Sequence, residues 1–283
     1  MKIYDTMKKV SQSITKLYKK QFDFPVVSVI RLQGTITASR GVNNLNLEGI
    51  RKKIEIAFGQ ERLAHVLLTV NCPGGSPVQS DLITSYLQLQ ADKTKVPVTV
   101  FVEDTAASGG YWLACAGHNI YASKSSVLGS LGVIYAGLGL TDLIKKIGVE
   151  RRLITSGKSK ALMDPLSPTK EEDVDIIRTM CADIHRVFID HVKSSRGSRL
   201  AGSDEELFNG AVWTAEAALR LGLIDGIDNA ESFIYRNFGD EVKICRAKSK
   251  REEFFESFGA RSLLSSAESL SDLMETDSNK IKI

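Results

Sequence analysis

Twice in this chain a near-continuous apolar run stops at a glycine-rich turn and gives way to a helical pattern. His65 to Val70 (HVLLTV) breaks at Asn71-Cys72-Pro73-Gly74-Gly75-Ser76, and helical spacing resumes from Val78 to Leu89. Val96 to Val102 leads through a tight turn to Ala107-Ser108-Gly109-Gly110, where a helix is expected over Ala106 to Ala116. Strands this apolar belong in sheets covered on both faces. Their alternation with helices specifies an α/β layer architecture.

The remaining pattern fits that class. Val26 to Ile30 reads as a buried strand ending at Gly34, and Asn46 to Phe58 as a helix with Ile50, Ile54, Ala57 and Phe58 inward. Further strands are expected at Ile120 to Ala122, Gly132 to Leu140, Val149 to Ile154 and Glu241 to Cys245. Thr141 to Ile147 and Ala215 to Leu221 read as short helices. The longest helix should follow Ser167-Pro168-Thr169, with Thr169 and Glu172 spaced as a capping box and an inward stripe of Val174, Ile177, Cys181, Ile184 and Phe188. One domain over residues 25–246 is expected, flanked by a basic amphipathic helix (1–24) and a C-terminal extension (247–283), disordered from about residue 271.

At 283 residues with 43% hydrophobic and 25% charged side chains, the chain is an ordinary globular one, not a fibrous or disulfide-scaffold protein. Its net charge of +3 gives no footprint for nucleic acid. No stretch approaches the ~18 consecutive apolar residues of a membrane span, and Met1 to Phe22 lacks the apolar core of a secretory signal. That segment instead puts Ile3, Met7, Val10, Ile14, Leu17, Tyr18 and Phe22 on one face and six lysines on the other. Such a helix either lies on an anionic membrane surface or packs on the body or a neighbouring subunit. The four cysteines have neither paired nor metal-like spacing, which favours a reducing, cytoplasmic setting; no metal or cofactor is expected.

Chemistry concentrates at the two glycine turns. Neither is a phosphate loop, because G-x-x-x-x-G-K-[ST] and G-x-G-x-x-G are both missing. Bare N–H groups from two such turns, brought side by side at strand ends, can surround a developing oxyanion. Ser108 stands between a strand and a helix start: it is either presented as a nucleophile or simply caps the helix. A nucleophilic serine needs a base, and none of the four histidines lies in a recognisable base motif. A lysine serves if desolvation lowers its pKa toward ~7–8. Lys160 is followed by Ala161, Leu162 and Met163, whereas Lys158 lacks such neighbours.

Five blocks occur in an order and at separations that identify a family. They are Asn71-Cys72-Pro73-Gly74-Gly75, Ala106 to Trp112 (AASGGYW), Gly129 to Ile134 (GSLGVI), Ser156-Gly157-Lys158-Ser159-Lys160 and Ala215 to Asp225 (AEAALRLGLID). Over about residues 25–235 the chain resembles the signal peptide peptidase A family (SppA and SohB proteins), serine peptidases with a Ser–Lys dyad. The resemblance implies a Clp-protease/crotonase-like fold of repeated ββα units. It implies Ser108 as nucleophile, Lys160 as general base and Ser130 as the hydroxyl that orients the lysine amine. It further implies an oxyanion hole from Gly74, with Gly75, and the Gly109 amide. Peptide substrates are implied, with hydrolysis independent of ATP. The chain departs from the family pattern in having Cys72 where many members have serine, and a basic segment where members usually carry a membrane anchor. It resembles the one-copy form, which implies a homo-oligomeric ring. Two other classes compete. A crotonase-like acyl-thioester enzyme needs a carboxylate in the glycine turns, where none occurs, and a peptide-binding scaffold has no need to keep Ser108, Ser130 and Lys160 together.

Overall fold

The computed structural model describes residues 24–39, 41 and 44–248. Strand β1 (Val26–Gln33) is followed by a small parallel pair, β2 (Thr35–Ile36) and β3 (Asn44–Leu45). Helix α1 (Leu47–Phe58) begins where the Asn46 side chain accepts the Gly49 N–H at 2.9 Å, and it buries Ile50, Ile54, Ala57 and Phe58. Strand β4 (Leu63–Cys72) leads to α2 (Pro77–Thr94), capped by Ser76 with proline in its first turn. Strand β5 (Val98–Ala107) leads to α3 (Gly109–Ala114). Then come β6 (Asn119–Ala122), β7 (Val127–Gly129), α4 (Thr141–Lys146) and the long α5 (Glu171–Arg196). The chain continues through α6 (Asp204–Leu207), β8 (Val212–Thr214), α7 (Ala215–Arg220), β9 (Gly226–Ile227), α8 (Ala230–Phe238) and β10 (Lys243–Arg246).

Six strands form the path β10-β1-β4-β5-β6-β9, all parallel; β7 adds to the end of β5, and β8 pairs antiparallel with β7. Strand alternation divides the apolar residues between two faces. Ile30, Leu68, Val100 and Val102 join the main core with α1, α2, α3 and α5. Val27, Leu67 and Phe101 face the other way, where Ala230 and Ile234 of α8 cover them. Between β4 and β5 the register jumps: Val70 pairs with Val102, but Cys72 pairs with Ala106. Glu103, Asp104 and Thr105 are the bulge this creates, and it turns the end of β5 toward β7.

The departures from the sequence reading have local causes. Gly132 to Leu140 and Val149 to Ile154 are not strands: β7 stops at Gly129, and Ile134 and Ile154 are 88% and 99% exposed. β-branched residues alone make no strand without a partner to pair with. Helix α3 starts at Gly109, three residues later than expected, because β5 runs on to Ala107 in its pairing with Gly129. Helix α5 starts at Glu171; Lys170 precedes it with no side-chain cap bond, so the Thr169–Glu172 box does not form. Glu171, Glu172 and Asp173 instead place negative charge at the positive end of the helix. Strand β8 and helix α8 were not anticipated. The helix expected over residues 1–22 and the disorder expected from residue 271 lie outside the described residues.

Candidate active site

Ser108 closes β5 with φ 51° and ψ −122°, a left-handed backbone that a serine rarely adopts. Strain of this kind costs about 1–3 kcal/mol and persists only where the surroundings over-determine it. Here the Ser108 N–H is drawn to the Gly129 carbonyl of β7 at 2.7 Å, while the Ser108 carbonyl accepts the Tyr111 and Trp112 N–H groups. The side chain makes no cap hydrogen bond. The hydroxyl is half-buried and is not spent on starting the helix, which removes the capping alternative.

The Gly74–Gly75 turn abuts this serine. A Cβ on Gly74, whose φ is +109°, would stand 2.8 Å from the Ser108 Cβ and 3.0 Å from the Gly109 nitrogen. The turn is pinned from below, with Ile36 N–H donating to the Gly74 carbonyl and Ser76 N–H to the Ile36 carbonyl, both at 2.8 Å. The Gly74 amide is directed to the Cys72 thiol. Burial pushes that thiol up to about 11, against the opposing pull of the Gly74 amide, so Cys72 is a packed, unreactive group. The Gly75 nitrogen lies 3.4 Å from where a Gly109 Cβ would be. Gly109, as the first residue of α3, has an amide with no intrahelical partner. Gly75 and Gly109 therefore bring two backbone amides together beside Ser108.

Ser130 is the other strained serine, with φ 52°, one residue beyond β7. Its N–H donates to the Ala211 carbonyl at 2.6 Å. Gly129 has no room for a side chain, since a Cβ there would lie 2.4 Å from the Trp213 ring. Because Gly129 also holds the Ser108 N–H, one short strand positions both serines.

A feature the sequence reading missed is the frame around α3. Tyr111 is fully buried and donates its hydroxyl to the Leu223 carbonyl at 2.6 Å. Trp112 is stacked between Phe188 and His191 of α5, at 5.0 and 4.8 Å. The buried Arg196 makes two hydrogen bonds to Asp225, at 2.8 and 2.9 Å, and one to the Gly222 carbonyl. Burial alone would raise the Asp225 carboxyl; the Arg196 bonds outweigh it and hold the group below the usual carboxylate range. The motif Leu221 to Asp225 was legible in the sequence, but its arginine partner lies 29 residues away.

Among the described residues Lys160 makes no hydrogen bond to Ser108 or Ser130. It sits in an exposed turn, its N–H donating to the Gly157 carbonyl at 3.3 Å. Among the described residues its ammonium makes no ion pair or hydrogen bond. Lys158 is paired with Glu172 at 2.8 Å. In the preceding segment, residues 133–154 hold Ile134, Leu138, Ile147 and Ile154 out in solvent. Among the described residues no group of three metal-binding side chains occurs, and no helix is long and apolar enough to cross a membrane.

A family model described as Peptidase family S49 matches residues 90–238, which carry Ser108, Ser130 and Lys160. The chain belongs to peptidase family S49. A chloroplastic serine protease SPPA of Arabidopsis thaliana is 31% identical over 71% of the chain. A protein of Brucella abortus named Na(+)/H(+) antiporter NhaA is 43% identical over 77% of it. The chain spans 30% of the length of each of these relatives, so the antiporter name describes a protein of which this S49 chain matches under a third. The fold is that of a solved structure titled 1510-N membrane-bound stomatin-specific protease, at TM-score 0.51, 17% identity and 80% and 99% coverage of the two chains.

Proposed function

We propose that this S49 chain is a serine peptidase in which Ser108 attacks the peptide carbonyl and Lys160 takes its proton. The observation that carries this is Ser108 itself, a strained serine whose hydroxyl makes no cap bond, set beside the backbone nitrogens of Gly75 and Gly109. The Gly75 and Gly109 amides receive the oxyanion, and Gly74 shapes the turn and keeps the wall of the site free of side-chain atoms. Ser130 holds the amine of Lys160 as a neutral base. The lysine comes from a neighbouring subunit in a homo-oligomeric ring, a reading supported by its exposure and by its lack of a partner among the described residues. Exposed apolar residues of the same region, Ile134, Leu138 and Ile154, supply the subunit contact that desolvates it.

The substrates are small hydrophobic peptides such as signal-peptide remnants, cut without ATP. Four unpaired cysteines fit the cytoplasm, and the lysine-rich segment 1–22 fits contact with an anionic membrane surface. The test is a fluorophosphonate probe and a library of apolar peptides, applied to the wild type and to Ser108→Ala. One serine should be labelled and turnover observed in the wild type, with both lost in the variant. Labelling that survives in Ser108→Ala would overturn the reading.

A further inference from the structure

Two glycines open α3, and each meets a different neighbour. A Cβ on Gly110 would stand 2.1 Å from the Cys72 carbonyl oxygen at the end of β4. A Cβ on Gly109 would stand 2.5 Å from the Ser80 hydroxyl oxygen on α2. Gly109 is not among the glycines with positive φ, so its backbone does not require a glycine. Its next nearest atoms are Ile36 Cδ1 at 3.1 Å, the end of a flexible side chain, and the Gly75 nitrogen at 3.4 Å, an ordinary contact. The atom that excludes a side chain at position 109 is therefore the Ser80 oxygen.

Ser80 is also an unexpected residue where it stands. It is fully buried inside α2, where a serine competes with the helix backbone and an alanine would serve the helix better. Its Oγ donates to the Ser76 carbonyl at 2.9 Å, the same carbonyl that accepts the Ser80 N–H at 3.0 Å. Ser76 directly follows Gly75, and its own N–H is tied to the Ile36 carbonyl at 2.8 Å. One hydroxyl thus touches both amide-bearing segments: it is bonded to the residue after Gly75 and packed on Gly109. One turn further along α2, the buried Thr84 hydroxyl donates to the Trp112 carbonyl at 3.4 Å. Ser80 and Thr84 therefore place α3 against α2 at Gly109 and at Trp112.

We propose that Ser80 is a positioning residue of the peptidase site, its hydroxyl being the spacer that sets the separation of the Gly75 and Gly109 amides. Fully buried, it meets no substrate and acts through the two glycines. Amides aimed at the charge that develops on the carbonyl oxygen stabilise the transition state more than the bound peptide. Shifting one of them therefore slows turnover without loosening the peptide. The proposal rests on the peptidase reading, because the amides have this task only if Ser108 attacks a carbonyl.

The test is a double-substitution cycle of Ser80→Ala and Gly109→Ala. Gly109→Ala keeps the backbone amide but drives a methyl into the Ser80 oxygen. Steady-state kcat and KM on one peptide are measured for the four proteins, well below each thermal midpoint, so that a variant that is merely less stable shows no loss of kcat. Peptide affinity is read by fluorescence anisotropy with Ser108→Ala added to each. In Ser80→Ala kcat should fall about ten-fold, and in Gly109→Ala about 100-fold, with affinity changed by less than about two-fold. The double variant should turn over about ten times faster than Gly109→Ala alone, because the atom that its methyl meets is gone. A wild-type kcat in Ser80→Ala overturns the proposal, as does a loss that lies in affinity instead, or a double variant no faster than Gly109→Ala. Each of those results leaves the peptidase reading standing, since the wild type still cleaves. Wild-type protein that neither cuts peptides nor takes a fluorophosphonate label at Ser108 defeats the peptidase reading itself, and the role of Ser80 falls with it.

Discussion

Ser108 and Lys160 differ in what holds them. Ser108 is fixed by the Gly129 carbonyl and the Gly74 backbone, so Ser108→Ala removes an oxygen and little else. It should lose peptide hydrolysis by a factor of at least about 10³ while its thermal midpoint moves little. Lys160→Ala should fall as far, whereas Lys158→Ala, which loses only an exposed pair with Glu172, should keep most activity; steady-state rates on one peptide decide it. Near-normal turnover in Lys160→Ala would exclude it as the base. A different residue governs pH and stability. Burial first, and His118 second, lower the His65 imidazole from 6.5 to about 4, with its Nε2 2.9 Å from the Thr99 hydroxyl and its ring against Phe233 and Phe238. Between those two values the unfolded chain binds a proton that the folded chain refuses. His65 therefore stabilises the fold fully above 6.5, and that contribution falls as pH drops toward 4. The urea midpoint should decline across this window, less steeply in His65→Gln; parallel profiles would refute it.

At the scale of elements, α3 is only six residues long and is held by its neighbours rather than by its own ladder. Arg196→Met should therefore cost about 3 kcal/mol, because it removes the buried pair that ties Leu221–Asp225 to α5 and leaves Asp225 only the more exposed Arg199 and the Ile120 N–H. Urea unfolding measures this, and a loss under about 1 kcal/mol would show the pair to be peripheral. What the sequence disclosed follows the same division. The two strand–glycine–helix units were legible because an apolar run and a glycine turn are local signals. The free Ser108 hydroxyl was not, since φ 51° results from a carbonyl on β7, distant in sequence. Gly132 to Leu140 and Val149 to Ile154 carry strand-like side chains but pair with no strand among the described residues. Helix α8 was passed over although Asn229 caps it on Ser232 at 2.9 Å, because its purpose, covering Leu67 and Phe101, belongs to the far face of the sheet.

At the scale of the whole molecule, Ser108 and Ser130 are both held by the backbone at the end of β7, whereas Lys160 stands in an exposed turn. If each site pairs Ser108 of one subunit with Lys160 of the next, a head-to-tail contact repeats around a closed ring. Two inactive proteins should then restore each other. Ser108→Ala subunits retain the lysine and Lys160→Ala subunits retain the serine, so an interface works when the first donates the base to the second. In rings refolded from equal amounts, half the serine positions and half the lysine positions are intact, and about a quarter of the sites carry both. Peptide turnover per subunit should reach about a quarter of the wild-type rate, from two preparations that are each silent alone. Varying the mixing ratio sharpens the test, because recovery should peak at equal amounts and fall symmetrically on either side. Mixed assemblies that form, as shown by co-purification of differently tagged subunits, yet stay inactive would place the dyad within one chain. The exposed Ile134 and Ile154 would then need a cover other than the neighbouring subunit's site.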